Sequence, residues 1–447
     1  MRSERSLESR TGGRAATTGV IPGDCAISVG NPGSALPDGW GWRLLTDVAR
    51  LETGHTPSRK HPEYWGGDVP WIGIRDATGN HGGTLYKTLQ YTNELGIKNS
   101  SARILPANTV CLSRTASVGY VVVMGAPMAT SQDFVNWVCG PSLDHRFLKY
   151  VLLGERGSFL RFASGTTHQT IYFPEVKAFH IALPPLRTQR EIADVLSSLD
   201  DRIDLLRQTN ATIESIAQAL FKSWFIDFDP VRAKAEGREP EGMDADTAAL
   251  FPAEFEESAL GAIPKGWKAG VVESLLVLQR GFDLPATKRT PGEFPVLAAS
   301  GPSGTHDEFM VAGPGVTTGR SGVIGNVYFV CDDFWPLNTS LWVKEFKVAT
   351  PAYAYQFLKT LDLKRFNAGS AVPTLNRNHV HAQPALIPPQ LLVDAYTTVA
   401  SALLGRTREN EKQANTLSQL RDTLLPHLIS GKLRLPEAEA QLSEAIA

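Results

Sequence analysis

Apolar residues recur in steps of three and four between residues 185 and 226, directly after Pro184-Pro185. The recurring positions are Ile192, Leu196, Leu199, Ile203, Leu206, Asn210, Ile213, Ala217, Leu220 and Trp224. This heptad spacing is typical of a helix that packs along a partner helix. Asn210 is the polar member of the seam, and a polar residue there fixes the register of two helices at some cost in stability.

A second seam with the same steps follows Pro388-Pro389, within residues 389–432. Its positions are Tyr396, Ala400, Leu403, Thr407, Asn410, Ala414, Leu417, Arg421, Leu424 and Leu428. The simplest arrangement packs the two helices on each other in antiparallel orientation. The alternative is that each is a core helix of its own domain, although both seams are longer than a typical globular helix.

Short apolar runs separated by Gly, Pro, Asn and Asp precede each helix and predict strands. Examples are "GYVVVMG" and "DFVNWVCG" in the first half and "GNVYFVC" and "TSLWVKEF" in the second. The expected fold is therefore α+β, with two strand-rich regions and two long antiparallel helices that form a coiled coil with pseudo-twofold symmetry.

The two halves resemble each other in the same order along the chain. Gly54 and Gly281 are matched at a separation of 227, and Arg114 and Arg320 at 206. From "GTTHQTIYFPEV" and "GSAVPTLNRNHV" onward the separation is 204 and continues into the helices. The shared order of the matched blocks, and the offset of 204 that stays constant into the helices, indicate an internal duplication.

These patterns divide the chain into seven segments. They are a disordered leader at 1–36, a first strand-rich domain at 37–184, a long helix at 185–226, an acidic surface linker at 227–262 with a short helix near Asp244–Leu250, a second strand-rich domain at 263–388, a second long helix at 389–432 and a tail at 433–447.

Composition places the chain among ordinary globular proteins, with 42% hydrophobic and 20% charged residues and a net charge of −2. The four cysteines lack the spacing of a zinc site, and a reducing, cytoplasmic location is the simplest interpretation. No run of apolar residues is long enough to span a membrane.

Motifs for common enzyme chemistry are absent from the sequence. There is no phosphate-binding loop with its lysine, no dinucleotide-binding glycine pattern, no His-Glu-x-x-His and no Gly-x-Ser-x-Gly. We therefore predict no catalytic residue and no metal site in this chain, and favour a binding role over catalysis.

A duplicated module with a rigid spacer suits a long, repetitive ligand such as double-stranded DNA. The side chains that read base edges are Arg, Lys, Asn, Gln, Ser and Thr, and we predict DNA contacts from loops that carry them at matched places. The candidates are Arg75, Arg114, Ser131, Gln132, Thr167, His168, Gln169, Arg280, Lys288, Arg320, Asn338, Thr339, Asn376 and Arg377. Arg114 and Arg320 are the strongest candidates because the duplication retains them. The alternative to a DNA contact is that each is a solvated loop residue or the partner of a local carboxylate.

Four segments carry a resemblance to a known family. "PPLRTQREIADVLSSLDDRIDLLRQTNATIESIAQALFKSWFIDFDPVRAKAEG" resembles the central region, and "LRDTLLPHLISGKLRL" the C-terminal region, of the specificity subunits of type I restriction-modification enzymes. "ALPDGWGW" and "GAIPKGW" resemble the openings of their two target recognition domains. The similarity covers about residues 37–435.

The resemblance implies that each recognition domain reads one half of an asymmetric bipartite site. It implies that the helices set the gap and dock two methyltransferase subunits, which use S-adenosylmethionine for adenine methylation. Motor-nuclease subunits, which use ATP and magnesium, complete the restriction complex. The alternatives are a solitary bivalent DNA-binding protein and a nuclease with a dispersed carboxylate site.

Overall fold

The structure is a computed structural model that describes residues 19–165, 169–369 and 371–446. Its described part divides into two compact units, and the division falls within both long helices. Unit 1 draws on Met1–Asp204 and Asn415–Ala447, and unit 2 on Leu205–Ala414.

The first half of the chain is rich in short strands. Its elements are β1 (Ile21–Pro22), β2 (Ile27–Val29), β3 (Gly41–Leu44), α1 (Leu45–Val48), β4 (Ala49–Thr53), β5 (Trp65–Ile72), α2 (Ile74–Gly79), β6 (Thr84–Leu85), β7 (Gln90–Thr92), α3 (Glu94–Lys98), β8 (Val110–Ser113), β9 (Val121–Met124), β10 (Ala129–Thr130), β11 (Phe134–Cys139), α4 (His145–Gly154), α5 (Arg156–Phe162), α6 (Phe173–Lys177) and β12 (Phe179–Leu183).

The long helix α7 (Leu186–Lys222) follows and continues into a π-helical turn at Ser223–Asp227. The remaining elements are α8 (Asp229–Ala235), α9 (Ala245–Ala249), β13 (Phe255–Ser258), β14 (Gly261–Pro264), β15 (Lys268–Val271), β16 (Leu276–Arg280), β17 (Phe294–Ala298), β18 (Gly301–His306), β19 (Gly315–Gly319), β20 (Val327–Val330), β21 (Trp335–Pro336), β22 (Ser340–Phe346), α10 (Pro351–Thr360), α11 (Arg377–His381), β23 (Pro384–Ile387), α12 (Gln390–Ile429) and α13 (Leu435–Ile446).

The sheets show that the duplication extends to topology. In unit 1 the largest sheet has the order β4-β11-β8-β9-β6, and in unit 2 the corresponding sheet has the order β16-β22-β19-β20. Smaller sheets also correspond: β10 pairs with β5 in parallel, as β21 pairs with β17. The predicted α+β class, with two strand-rich regions and long helices, is confirmed.

The start of α7 is fixed by the polar side chain of Gln189, which is fully buried. Its amide accepts from the Asp144 main-chain N–H at 2.9 Å and donates to the carbonyl oxygens of Ser142 and Pro184 at 3.0 and 2.9 Å. A buried amide is tolerated only when it is hydrogen-bonded. Gln189 therefore joins the strand-to-helix junction to the loop before α4.

Within unit 2 the two long helices pack against each other in antiparallel orientation. Asn210 Nδ2 donates to the Thr407 carbonyl oxygen at 3.1 Å, and Asn410 Nδ2 donates to Asn210 Oδ1 at 2.8 Å. Further along α7, the Ala217 carbonyl oxygen accepts from the Tyr396 hydroxyl at 3.2 Å. Because partner numbers fall as residue numbers rise, the predicted antiparallel pairing is confirmed here.

Seam residues are buried along both helices. Ile192, Leu196, Leu199, Ile203, Leu206, Trp224, Leu417, Leu424 and Leu428 are buried, whereas Asn210, Ile213, Leu220 and Leu403 are half-buried. In unit 2 the helix ends also belong to the core of the strand-rich body: the Phe221 ring lies 5.1 Å from Tyr353 of α10 and 5.5 Å from Tyr396. At these helix ends in unit 2, the alternative interpretation, in which a long helix belongs to the core of its own domain, therefore also applies.

In unit 1 the two long helices are also joined to each other, and one carboxylate lies at the centre of this contact. Asp200 of α7 accepts from Arg421 of α12 at 2.9 Å, from the Tyr150 hydroxyl at 2.7 Å and from Lys149 at 3.3 Å. The pKa of Asp200 is lowered, because the neighbouring cations and donors outweigh the effect of its burial. This network ties α4 to both long helices.

The predicted disordered leader is wrong for residues 19–36, while residues 1–18 lie outside the described part. Strand β2 pairs with β12, and Ile27 and Val29 are buried. The Glu155 carboxylate, which is fully buried, accepts main-chain N–H bonds from Asp24, Cys25, Ala26 and Ile27 at 2.5–3.0 Å. These bonds hold the segment against the body of unit 1.

The predicted surface linker contains more structure than its composition suggests. A short helix does form at Ala245–Ala249, capped by Asp244, whose carboxylate accepts from the Thr247 N–H at 2.8 Å. However, α8 precedes it, and Val231 and Phe251 are buried in the core of unit 2. Much of this segment is therefore part of the unit rather than a free connection.

Candidate nucleic-acid interface

The predicted Arg114 and Arg320 occupy equivalent loops, each directly after a central strand. Arg114 Nη2 donates to the Gln132 carbonyl oxygen at 3.1 Å, and its own N–H donates to the Asp133 carbonyl oxygen at 2.7 Å. Arg320 Nη1 donates to the Asn338 carbonyl oxygen at 3.1 Å, and its N–H donates to the Thr339 carbonyl oxygen at 2.8 Å. We call this pair of bonds the arginine latch.

The latch is repeated with the same partners because Gln132 and Asn338 share the offset of 206 that relates the two arginines. A third loop joins it in both units. The Arg114 carbonyl oxygen accepts from the Ile171 N–H at 2.9 Å, and the Arg320 carbonyl oxygen accepts from the Leu375 N–H at 2.8 Å. Three loops therefore meet at each arginine, in two places of the chain.

The guanidinium of Arg114 is half-buried and lies over the Phe173 ring at 4.7 Å. Its burial lowers the pKa of the guanidinium, and Asp133 opposes the change. Such an arginine remains protonated at physiological pH. Neither arginine is simply a solvated loop residue or the partner of a carboxylate; both bind main-chain carbonyl oxygens.

A glycine lies against each latch and permits close packing of the backbone. A Cβ atom on Gly54 would lie 2.0 Å from the Ser131 carbonyl oxygen, and one on Gly281 would lie 2.3 Å from the Leu337 carbonyl oxygen. No side chain fits at such distances. The residues that follow these glycines are thereby held beside the loop that carries Gln132 or Asn338.

Further candidates of the first half lie in different surroundings. Gln169 is exposed, and its carbonyl oxygen accepts from Ala116 of the latch loop at 3.1 Å. Ser131 is buried and bonds Asp133, which leaves it almost no surface for a ligand. Arg75 is exposed on α2. Thr167 and His168 lie outside the described residues.

In the second half, several candidates surround the latch of Arg320. Asn376 is exposed and caps α11, the helix that begins with Arg377, also exposed. Thr339 Oγ1 accepts from the Ala299 N–H at 3.3 Å, which gives it a structural role. Arg280 ends β16, with a guanidinium nitrogen 3.7 Å from Asp283. Lys288 lies in a separate exposed turn, Ala286–Lys288.

One exposed basic residue, Arg59, was not among the predicted DNA contacts. The Arg59 guanidinium lies 3.9 Å from the Trp65 ring centroid and 5.2 Å from that of Trp71, and it donates to Gln90 Oε1 at 2.7 Å. With Trp65 and Gln90 it lines an open cavity of about 370 Å³. The arrangement holds an exposed cation in a fixed orientation, and the signal in the sequence was the interleaving of basic and aromatic residues in "SRKHPEYW".

No metal-binding group of three or more His, Cys, Asp or Glu side chains occurs among residues 19–165, 169–369 and 371–446. Within the same part of the chain, every helix is too short or too polar to cross a membrane.

Comparison with known proteins agrees with this description. Residues 37–215 match the model of the type I restriction modification DNA specificity domain. The chain is 24% identical over 433 residues to the MjaIX specificity subunit of Methanocaldococcus jannaschii, covering 90% of this chain and 95% of that protein. It is 26% identical over 336 residues to the HindI specificity subunit of Haemophilus influenzae, covering 60% of this chain and 72% of that protein.

A solved structure shares the fold. The S subunit of a type I restriction-modification system from M. genitalium superposes with a TM-score of 0.56 at 17% identity, covering 89% of this chain and 97% of that one. In sequence, residues 37–215 therefore carry the type I restriction modification DNA specificity domain, and the chain is similar over most of its length to the specificity subunits of type I restriction enzymes.

Proposed function

We propose that this chain reads a bipartite, asymmetric sequence in double-stranded DNA, one half-site through the latch loops of each unit. The observation that carries the proposal is the repeated arginine latch. One scaffold is present twice, and the side chains it displays differ between the copies, Gln132 in one and Asn338 in the other. Two copies with different displayed side chains suit two different half-sites.

The charge of the loops supports contact with the DNA backbone. Arg59, Arg75, Arg280, Lys288 and Arg377 are exposed. Phosphate contacts fix the position of a protein on the duplex, and base contacts supply the specificity. Because the whole chain carries a net charge of −2, partner subunits supply further phosphate contacts in this proposal.

The long helices act as the spacer between half-sites and as the place where two methyltransferase subunits dock. Because most of their seam side chains are buried, docking uses the outer faces of the helices. The methyltransferase subunits use S-adenosylmethionine to methylate adenine, and motor-nuclease subunits use ATP and magnesium to restrict unmodified DNA in the cytoplasm. This chain contributes recognition and no catalytic group.

Replacing residues 37–184 with the matching segment of a relative tests the proposal. The variant is co-expressed with the methyltransferase subunit, and methylated adenines are mapped across the host genome. We expect one half-site to change and the other to remain. A change in both halves, or in neither, contradicts the assignment of one half-site to each unit.

Deleting one heptad from α7 and a matched heptad from α12 tests the spacer role. Seven helical residues span about 10 Å, and base pairs are about 3.4 Å apart, so the gap should shorten by about three base pairs. An unchanged gap in a folded variant removes the spacer role. If the co-expressed chain purifies alone, without bound methyltransferase subunits, the result favours the alternative of a solitary DNA-binding protein.

A further inference from the structure

A side-chain pair sits beside each arginine latch, and one member of each pair was absent from the predicted contacts. In unit 1, Thr56 Oγ1 donates to Gln132 Oε1 at 2.5 Å. In unit 2, Asn338 Nδ2 donates to Asp283 Oδ1. Thr56 and Asp283 each follow the close-packed glycine, Gly54 or Gly281, by two residues. The pairs are therefore equivalent in position and different in chemistry.

The chemistry of the unit 2 pair fixes which groups it presents. An ionised carboxylate only accepts hydrogen bonds, so the amide nitrogen of Asn338 must face Asp283. Asp283 Oδ1 receives that bond and lies 3.7 Å from Arg280. Within the described residues, Asn338 Oδ1 and Asp283 Oδ2 are left as acceptors, and the Asp283 side chain is 71% exposed.

The base edges of the major groove differ in what they offer to two acceptors. Adenine presents its N6 amino group and cytosine its N4 amino group, whereas guanine presents O6 and N7 and thymine presents O4. Acceptors that face a guanine or thymine edge are repelled and left without partners, which carries a large penalty when water is excluded. The pair thus discriminates by charge and polarity.

We propose that Asp283 and Asn338 read one base of the half-site assigned to unit 2, by accepting a hydrogen bond from the exocyclic amino group of adenine or cytosine. This inference rests on the proposed function. Arg320 is the positioning residue, since its bond to the Asn338 carbonyl oxygen holds the main chain from which the amide projects. The unit 1 pair reads a different edge, because the Thr56 hydroxyl can turn and donate or accept.

The test uses the full chain in its complex with co-expressed methyltransferase subunits and selects bound duplexes from a randomised library. Every base pair carries one such amino group, on one strand or the other, so the wild type should select one base pair in one strand orientation at a position of the half-site assigned to unit 2. Asp283→Asn keeps the shape and adds a donor, and should reduce that preference by about tenfold or more. The other half-site should be unaffected.

Glu293→Gln is the matched control, because Glu293 is an exposed carboxylate of the same unit and, among the described residues, makes no hydrogen bond or ion pair with Asp283 or Asn338. It should leave every preference unchanged. Thr56→Val should alter only the other half-site. Arg320→Ala should weaken recognition of the whole unit 2 half-site, and Arg320→Lys, which retains a donor, should restore part of it while the unfolding temperatures of the two variants stay alike.

The inference is overturned if the wild type selects a sequence and Asp283→Asn selects the same one with equal strength. If the wild-type complex selects no sequence at all, the proposed function fails together with the inference. The two failures are therefore distinguishable from the wild-type result alone.

Discussion

The Arg320 guanidinium donates to the main-chain carbonyl oxygen of Asn338 at 3.1 Å. Arg114 makes the same bond to Gln132 at 3.1 Å in the other copy of the scaffold. An arginine retained in both halves of a DNA-recognition chain invites assignment to a base or a phosphate. The structure shows that it holds one loop against another. Its contact with DNA stays a prediction, and the side chains beside it read the bases in our proposal.

We expect Arg114→Ala to weaken methylation at targets through the half-site of unit 1 and to spare discrimination at the other half. The reason is that the loop carrying Gln132 loses its anchor, while unit 2 keeps its own. Kinetics of methylation on duplexes with one altered half-site at a time measure this. Equal loss of discrimination in both halves would mean that the variant has damaged the chain generally.

Replacement of Glu155 by alanine should destabilise unit 1 by at least about 2 kcal/mol, since hydrogen bonds to a charged group are among the stronger ones. Four main-chain N–H groups at Asp24–Ile27 lose their acceptor in this variant. Hydrogen exchange should show faster exchange across residues 24–29. Glu236→Ala, in which an exposed Glu236–Arg238 ion pair is lost, serves as control. Unchanged protection of residues 24–29 would refute the role of Glu155.

The polar pair in the helix seam should behave non-additively. Asn210→Leu leaves the buried amide of Asn410 without its partner, which should cost about 1–3 kcal/mol. The double variant with Asn410→Leu buries two apolar side chains and should recover most or all of that loss. Denaturant unfolding of the wild type, both single variants and the double variant measures the coupling. Simple additivity would show that the two amides do not interact.

Arg59→Ala should weaken binding to every duplex by a similar factor, because a phosphate contact carries no sequence information. The slope of log affinity against log salt should become shallower by about 0.9. Arg59→Lys keeps the charge and loses the planar stacking on Trp65, so it should retain the slope better than the affinity. Arg238→Ala, in the segment after α8, is the control. A changed sequence preference in Arg59→Ala would point to a base contact instead.

Stability should fall as the pH is lowered below neutrality. Burial lowers the pKa of His81 and of His381 below the ordinary value of 6.5. In each, a neutral ring nitrogen accepts a main-chain N–H bond, from Val121 at 3.1 Å or Leu278 at 2.8 Å. The contribution of these two rings to the free energy of unfolding is complete above the ordinary pKa of histidine. It is lost as the pH falls through their lowered pKa values.

Unfolding temperatures across this range measure the effect. We expect them to decline from about pH 7.5 to about pH 5.5, and the double variant His81→Gln with His381→Gln to flatten the decline. A wild-type unfolding temperature that rises on acidification would contradict the role of these two rings.

The helices were accessible from the sequence because a heptad seam is a local signal: Leu196 and Leu199 are spaced for burial and are buried. The duplicated arginines could also be identified from the sequence. Their bonds to carbonyl oxygens could not be predicted, since those partners lie in loops whose positions depend on the whole sheet. The segment at Ile27 was misjudged because its burial comes from pairing with β12, far away in the sequence, while its composition resembles that of a flexible leader.

Unit 1 is assembled from both ends of the chain, and this has a consequence for synthesis. Ile429 is buried beside Gly154, and Gly431 lies against Trp40. During translation, the strand-rich part of unit 1 therefore emerges from the ribosome long before the C-terminal residues that complete its packing. Unit 2 has all of its own residues as soon as Ala414 has emerged. The half of the molecule that is translated first should be the half that completes folding last.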